Sequence, residues 1–309
     1  MRRAVVILNP VSGTGRGRNA PAREAALARD VLAGEGLHAD VQVTAGAGDA
    51  ARLAHEAARS GAAVVIAWGG DGTINEVGGA LAFGRVPLGI VPAGSGNGLA
   101  RDLGLPLDRR EALVVAARGS DRVIDAGELD GSLFFNVAGI GLDARVAALF
   151  ADRSGRRGLL AYAGLTVREV LRFRAGHYRI ACGNGTMEHR AMIVAFANSR
   201  QWGNGAQIAP GARLDDGRLE LVVVEDQPLV AIAARIPALF RGTLRAGRGV
   251  VMRAVMEGTI EADAPMAYHV DGEPRQGGTC LRCAVRPAAL AVRVPELTAA
   301  VPLAAAAPA

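Results

Sequence analysis

Residues 62–77 read AAVVIAWGGDGTINEV, and this stretch decides the fold. The apolar run at 62–68 is typical of a central strand in a parallel sheet, which is buried on both faces. A glycine-rich loop follows it, and a helical pattern then continues to about Leu81. A strand, a glycine loop and a helix in this order predict an α/β unit whose loop can closely approach a phosphate, because glycine has no side chain.

The same order recurs through the first 125 residues. Further apolar strands are predicted over Ala4–Leu8, 39–43 and 86–91, with helices over 21–34 and from an N-cap at Asp49 to about Arg59. The segment PAGSGNGLARDLGLP (92–106) opens another helix. We therefore predict a doubly wound α/β domain over residues 1–125.

After residue 125 the pattern changes to successive strands, with helical patterns only near 143–151, 158–173 and 228–241. Turn signals such as Asp130-Gly131 separate the strands. This pattern predicts a mainly antiparallel β-rich domain over 126–295, followed by an Ala/Pro-rich tail at 296–309. The strands are predicted at 122–128, 132–139, 177–183, 190–198, 218–225, 250–257, 259–263, 266–271 and 279–294.

Three glycine-rich loops, Asn9–Gly17, Gly69–Asn75 and Pro92–Asn97, follow predicted parallel strands. Ligands of open α/β sheets bind at the carboxyl ends of the strands, so we expect these loops to converge on one crevice. Their backbone N–H groups and the following helix starts favour an anion there. Three such loops on one sheet indicate a phosphate site rather than tight turns alone.

Asp71 lies in the middle of the second loop, where its carboxylate would repel phosphate oxygens. Nucleoside triphosphates bind together with magnesium, which prefers hard oxygen ligands. Asp71 therefore indicates metal-assisted phosphoryl chemistry with ATP and Mg2+. The usual dinucleotide-binding loop has no acid at its centre.

Composition narrows the chemistry further. All 35 basic residues are arginines, which excludes any mechanism that needs a lysine. The net charge of +5 fits an anionic substrate or membrane surface, and basic and aromatic residues do not interleave as in nucleic-acid-binding segments. No apolar run approaches the roughly 18–20 residues of a membrane span, so we expect peripheral membrane contact only. The few cysteines favour a cytoplasmic location.

Five motifs in order carry a family resemblance. They are NPVSG (9–13), GGDGTINEV (69–77), PAGSGNGLARDLGLP (92–106), NVAGIGLDA (136–144) and VDGE (270–273). Together they resemble the diacylglycerol kinase and sphingosine kinase-type lipid kinase family over nearly residues 1–290. GGDGT alone also occurs in NAD kinases and phosphofructokinases. Many bacterial diacylglycerol kinases carry an acid where this chain has Gly98, so the acceptor lipid stays open.

The resemblance implies a nucleotide-binding α/β domain joined to a β-sandwich-like domain, with catalysis in the cleft between them. It implies a catalytic base at Glu273 and a second, structural magnesium site at Asp216 with help from Arg213 and Arg218. The implied ATP contacts are Asn9, Ser12, Thr44, Gly69, Gly70, Asp71, Gly72, Thr73, Ile74, Asn75, Ser95 and Asn97.

Each acidic residue outside the glycine loops allows both a functional and a structural interpretation. On a strand, Asp271 and Glu273 would share one face, so that one accepts the hydroxyl proton while the other lies near the metal or ribose. An isolated DGE is equally typical of a surface turn. Asp125 is expected to join Asp71 in a metal and water network, or to be a plain strand-end acid. Asp216-Gly217 also fits an ordinary β-turn.

These residues favour an ATP- and Mg2+-dependent kinase that phosphorylates a lipid hydroxyl at a membrane surface. One alternative is a soluble-substrate kinase similar to NAD kinases. A second alternative, from another class, is a non-catalytic nucleotide-binding regulator of the same fold. A homodimer is left open, because strands that pair between chains look like any others.

Overall fold

The structure is a computed structural model that describes residues 1–12, 19–151, 172–183 and 185–296. The helix predicted at 158–173 lies almost wholly outside these residues, as does the tail from residue 297 onward. Of the first glycine loop, the part up to Ser12 is described.

The strands and helices follow the predicted order. The strands are β1 (Arg2–Leu8), β2 (Leu37–Val43), β3 (Val64–Gly69), β4 (Leu88–Pro92), β5 (Ser120–Leu129), β6 (Ser132–Phe134), β7 (Val137–Gly141), β8 (Gly176–Cys182), β9 (Gly185–Ala197), β10 (Gln201–Gly203), β11 (Ala206–Gln207), β12 (Leu219–Glu225), β13 (Val250–Val255), β14 (Glu257–Glu261), β15 (Ala267–Val270), β16 (Glu273–Gln276) and β17 (Cys280–Val294). The helices are α1 (Ala20–Gly34), α2 (Asp49–Arg59), α3 (Asp71–Leu81), α4 (Gly98–Asp102), α5 (Arg109–Arg118), α6 (Leu142–Ala151) and α7 (Leu229–Arg241).

The N-terminal strands form a parallel sheet in the order β4-β3-β1-β2. Apolar clusters cover both faces of this sheet, one formed with α2 and α3 and the other with α1 and α5. The predicted doubly wound α/β arrangement is confirmed. Since β1 leads outward to β2 while β3 leads the other way to β4, the topological switch lies between β1 and β3.

The second half is mainly antiparallel, with β7, β9, β8, β14 and β17 as successive neighbours and β12 paired to β9. Its apolar core lies between strands whose inner side chains alternate with exposed ones, as in β8. The predicted combination of an α/β region with a β-rich region is confirmed. Among the described residues, no helix has both the length and the apolar character to cross a membrane.

The two halves share strands. β17 pairs with β14 at its beginning, with β5 along most of its length and with β4 at its end. Residue 125, taken as the end of the first domain, lies inside β5. One local expectation is wrong: Gly48, with φ of 80°, is the N-cap of α2, and Asp49 accepts a hydrogen bond from the Ala45 N–H instead.

Candidate active site

The glycine-rich loops meet at the switch between β1 and β3. The Asn9 side chain donates to the Thr73 hydroxyl at 2.9 Å, which ties the loop after β1 to the start of α3. A Cβ added at Gly94 would lie 2.7 Å from the Gly70 Cα, so the loops after β3 and β4 touch through their backbones. The predicted convergence of the loops is observed, and glycine is required at the contact because any side chain would separate them.

The loops enclose a cavity of about 880 Å3, a size typical of small-molecule sites. Two of its walls carry residues from outside the loops, namely Thr44 after β2 and Glu273 from the second half. The predicted residues that line it are Asn9, Ser12, Thr44, Gly70, Asp71, Gly72, Thr73, Ser95, Asn97 and Glu273.

Three residues expected at the nucleotide do not line this cavity. Ile74 is buried in the apolar core beneath α3. Gly69 packs against the Thr73 side chain, which a Cβ at Gly69 would meet at 2.5 Å. Asn75 turns the other way and donates to Asp271 at 2.9 Å and to the Leu133 carbonyl at 3.0 Å. These residues support the loop from behind.

Asp71 lies at the first position of α3, with its carboxylate enclosed by the third loop. Its Oδ1 accepts the Gly98 N–H at 2.8 Å, and Oδ2 would lie 2.7 Å from a Cβ at Gly96. Burial and, as the second cause, the charge of Asp271 together raise the pKa of Asp71 to about 6, although backbone N–H donors including Gly98 oppose the rise. Asp71 is therefore an acid held in place but poorly compensated, which suits a cation ligand.

The DGE motif was expected on a strand, but it lies at a hairpin turn. Asp271 and Gly272, with φ of 48° and 87°, form the two-residue turn between β15 and β16, and Glu273 begins β16. Asp-Gly is a preferred pair for a hairpin turn with two positive φ angles. The two carboxylates therefore point in different directions, and Gly272 is needed for its backbone angle rather than for close approach.

Asp271 is fully engaged by hydrogen bonds. Its Oδ1 accepts the N–H groups of Asn136 and Val137 at 2.8 and 3.1 Å, and Oδ2 accepts from Phe135 N–H and the Asn75 side chain, both at 2.9 Å. Burial raises the pKa of Asp271, and these donors oppose the rise. With four donors on two oxygens, no lone pair remains for a metal or ribose. Asp271 joins the hairpin to the β6–β7 region.

Glu273 is the acid of the motif that reaches the cavity. A Cβ placed on Gly72 would lie 2.5 Å from Glu273 Oε1, so this carboxylate rests against the middle of the GGDGT loop. Its side chain is exposed to the cleft. The geometry brings a free carboxylate from the second half to the loops of the first.

Asp125 is placed elsewhere. It is 4% exposed, and its two oxygens accept the N–H groups of Gly217 at 2.7 Å and Ala288 at 2.8 Å. It does not line the cavity. The expected link to Asp71 is not present in the described residues, because both oxygens are occupied by the turn after residue 214 and by the bulge of β17.

The turn around Asp216 is compact and exposed. Asp216 Oδ1 accepts the Arg218 N–H at 3.1 Å, as in the simple β-turn alternative, and Arg213 lies 3.7 Å from Asp215. Burial and the charge of Asp216 raise the pKa of nearby Glu220. Across the described ranges, no group of three or more His, Cys, Asp or Glu side chains is arranged to hold a metal.

Two charged residues of the cavity wall were missed from the sequence. Glu76 Oε1 accepts the Gly48 N–H at 2.9 Å, while its Oε2 is buried with no partner in the described structure. Arg109, the first residue of α5, pairs with Glu24 at 2.9 Å and also lines the cavity. The sequence around them does not indicate a binding role, because charged residues are common on the surfaces of helices.

A buried polar chain supports the hairpin from below. Gly272 N–H donates to His269 Nδ1 at 3.2 Å, which places the ring proton on Nε2, and Nε2 lies 3.1 Å from Asp143 Oδ2. His269 and Asp143 are 5% and 6% exposed. The position of Glu273, one residue after Gly272, thus depends on a contact between β15 and α6.

The fold and the cavity together define a class of protein: an α/β protein whose glycine loops form a cavity suited to phosphate, with Asp71 and the exposed carboxylate of Glu273 at a shared cleft. The comparisons with known proteins agree. Residues 3–129 match the model of the diacylglycerol kinase catalytic domain, and residues 136–294 match the YegS C-terminal NAD kinase beta sandwich-like domain.

Curated relatives span nearly the same length. A protein of Chromohalobacter salexigens named "Probable lipid kinase YegS-like" is 34% identical over 84% of this chain and 85% of its own. One of the same name from Klebsiella pneumoniae is 33% identical over 94% and 96%. A diacylglycerol kinase structure from Bacillus anthracis has the same fold, with a TM-score of 0.73 at 19% identity, over 96% of this chain and 97% of its own. The chain belongs to the YegS-like lipid kinase family, and hence to the phosphotransferases.

Proposed function

We propose that the protein transfers the γ-phosphate of ATP to a hydroxyl group of a membrane lipid, with Mg2+ as cofactor. Family membership supports a lipid kinase, and the contact of Glu273 with the Gly72 loop is the observation that carries the chemistry. A carboxylate beside a phosphate cradle is placed to accept the proton of an incoming alcohol.

The donor set fits magnesium. Asp71 is the acid among the loop residues, its orientation is fixed by Gly98, and no cationic partner contacts it among the residues that the structure describes. Magnesium with a single protein carboxylate keeps waters and phosphate oxygens as its other ligands, and when bound it supplies positive charge at the phosphates. We also propose the structural magnesium at Asp216, where Oδ2 and the nearby Glu220 provide acidic oxygens.

The remaining cavity residues bind and orient the nucleotide. The N–H groups of Gly72, Thr73, Ser95 and Gly96, residues that line the cavity, bind the phosphates, and Arg109 provides a positive charge in the wall. The unpartnered Glu76 Oε2 accepts a hydrogen bond from an amino or hydroxyl group of the nucleotide.

In the reaction, the lipid hydroxyl oxygen forms a bond to the γ-phosphorus while the bond from that phosphorus to the β–γ bridging oxygen breaks. Glu273 takes the hydroxyl proton, and ADP leaves with the bridging oxygen. Asp271 and His269 hold the hairpin that carries Glu273 and do not contact the reacting atoms. Positioning and electrostatic stabilisation supply most of the rate in such transfers.

A direct test is ATP-dependent labelling of a panel of acceptors, with Mg2+ or with EDTA. The panel contains diacylglycerol, phosphatidylglycerol, a sphingoid base and ceramide, with NAD as the soluble alternative. We expect label on at least one lipid in the presence of Mg2+ alone. Labelling of NAD without any lipid, or ATP binding without transfer to any acceptor, would contradict the proposal.

Glu273→Gln tests the base. We expect kcat to fall about 100-fold or more with little change in ATP affinity, since general bases contribute about 10^2 to 10^4 in rate. Glu257→Gln is the matched control, because Glu257 is an exposed glutamate on β14 away from the cavity. Equal kcat in both variants would remove Glu273 from the reaction.

A further inference from the structure

Helix α7 presents an outward side made mostly of apolar residues, with Arg241 at its C-terminal end. Val230, Ile236 and Phe240 are 75%, 46% and 55% exposed. Ala233, Ala234 and Pro237 are exposed between them. Apart from Arg235 and Arg241, the helix contains no polar side chain. Helices that are apolar all round are normally buried, so this exposed side is a candidate docking surface.

The orientation of α7 is fixed by its inner side. Ile232 packs against the apolar cluster that also holds Leu142 and Val146 of α6. Arg235 donates to the Gln227 side chain and to the Ala231 carbonyl, both at 2.7 Å, and also to the Arg248 carbonyl. Rotating the helix to hide its apolar side would break these contacts. The exposed side is thus a stable feature of this half of the molecule.

All charged residues from α7 to the end of β13 are arginines, whereas Glu225 and Asp226, just before α7, pair with His189 and Arg190. Residues 227–256 contain five arginines and no acid. Arg241, Arg245 and Arg248 are exposed next to the helix or in the loop after it. Among the described residues, no ion pair joins Arg241 or Arg245 to an acid. An apolar helix face bordered by arginines has the composition of an interfacial helix that binds anionic lipid.

We propose that α7 and its neighbouring arginines dock the protein on an anionic phospholipid bilayer. The apolar side enters the boundary between headgroups and acyl chains, and Arg241 and Arg245 contact lipid phosphates. A second copy of this chain fits the surface less well, because a twofold contact would bring the same arginines together. The inference rests on the proposed function in one respect, that the acceptor lipid resides in the bilayer.

Vesicle flotation without ATP tests the docking directly. The wild-type chain is compared on phosphatidylglycerol/phosphatidylcholine vesicles and on pure phosphatidylcholine vesicles. We expect binding to the anionic vesicles that weakens with salt. Val230→Ser with Phe240→Ser should weaken it at least about tenfold, and Arg241→Gln with Arg245→Gln by about fivefold per arginine.

Matched controls replace similar exposed residues elsewhere. Phe83→Ser with Val123→Ser removes apolar side chains that are 64% and 50% exposed in the first half. Arg59→Gln with Arg118→Gln removes two exposed arginines. Thermal unfolding verifies that all four double variants are folded. If the Val230/Phe240 variant does not fold, the Arg241/Arg245 variant still tests the proposal.

Each result decides the proposal. Absence of wild-type binding to anionic vesicles, or equal loss in α7 and control variants, overturns it. A wild-type dimer in sedimentation that the Val230/Phe240 variant dissociates also overturns it, because a second copy then covers the face. Kinase activity on a short-chain acceptor in detergent micelles should be unchanged in the α7 variants. Absence of any lipid phosphorylation would refute the proposed function alone, since flotation needs no turnover.

Discussion

At the scale of single residues, Asp71 shows how a binding site costs folding free energy. The folded protein surrounds this carboxylate with loop backbone and places Asp271 nearby, so its pKa rises to about 6. A folded-state pKa above the unfolded value of about 3.9 means that the folded chain binds the proton more tightly. The stabilisation is full below that unfolded value and is lost as the pH rises through 6.

Asp71→Asn should therefore change the pH dependence of stability. In EDTA, we expect the free energy of unfolding of the wild type to fall, relative to Asp71→Asn, by about 1 kcal/mol between pH 5 and pH 7.5. The asparagine keeps the oxygen that accepts the Gly98 N–H. Urea unfolding at both pH values measures the difference.

Asp263→Asn is the control for this experiment, because Asp263 is exposed and far from the loops in sequence. It should leave the pH dependence of the wild type unchanged. A parallel pH profile for Asp71→Asn and the wild type would show that Asp71 does not carry the raised pKa.

At the scale of elements, the hairpin β15–β16 determines the position of Glu273, the proposed base. Asp271 fastens its turn to the β6–β7 region, and His269 fastens its backbone to α6 through Asp143. Glu273 itself makes no hydrogen bond to these supports, so its place in the cleft follows from the backbone. The turn residues are predictable from Asp-Gly, but the partners that orient them are far apart in sequence.

His269→Leu should test that support. It leaves the Gly272 N–H without its acceptor and the buried Asp143 Oδ2 without its partner, while Asp143 Oδ1 keeps the Ala144 N–H, so we expect a loss of about 2 to 4 kcal/mol in unfolding free energy. We also expect kcat to fall more than the ATP KM changes, because Glu273 shifts while the loops stay. Urea unfolding and steady-state kinetics give the two readouts.

His177→Leu is the matched control, since His177 is exposed on β8. His269→Asn keeps an acceptor for Gly272, whereas His269→Gln keeps a donor for Asp143, so the pair separates the two bonds. If His269→Leu lowers stability but leaves kcat at the wild-type value, the hairpin does not position Glu273.

At the scale of the whole molecule, β17 joins the two halves into one structure. It pairs with β5 over both regions and ends beside β4 of the parallel sheet. Asp125 fixes the bulge of β17 at Ala288 and the turn at Gly217 together. We expect one cooperative unfolding transition in calorimetry, because β17 is a hydrogen-bonded neighbour of strands in both halves and its loss would leave strands of both halves unpaired. Two resolved transitions would contradict this.

Asp125→Ala should lower the unfolding free energy by about 2 to 4 kcal/mol, because two buried N–H donors lose their acceptor. Asp121→Ala on the same strand breaks only a half-exposed pair with Arg293 and should cost less than about 1 kcal/mol. Urea unfolding of both variants measures the difference. Similar small losses would mean that Asp125 is not the link between the halves.

The sequence by itself determined the α/β class, the order of most elements and the convergence of the glycine loops. Those features follow from local periodicity and from the rule that parallel strands end at one edge. The order of the five motifs was also enough to indicate the family.

Only the tertiary structure decided which acids reach the cleft. Asp71 and Glu273 both lie there. The carboxylates of Asp271 and Asp125 instead accept hydrogen bonds from backbone N–H groups of segments more than 60 residues away. The same is true of the apolar side of α7, whose residues look like core in the sequence. A carboxylate's role depends on whether distant donors occupy its oxygens, and an apolar face's role depends on what covers it. Neither role can be predicted from the local sequence pattern.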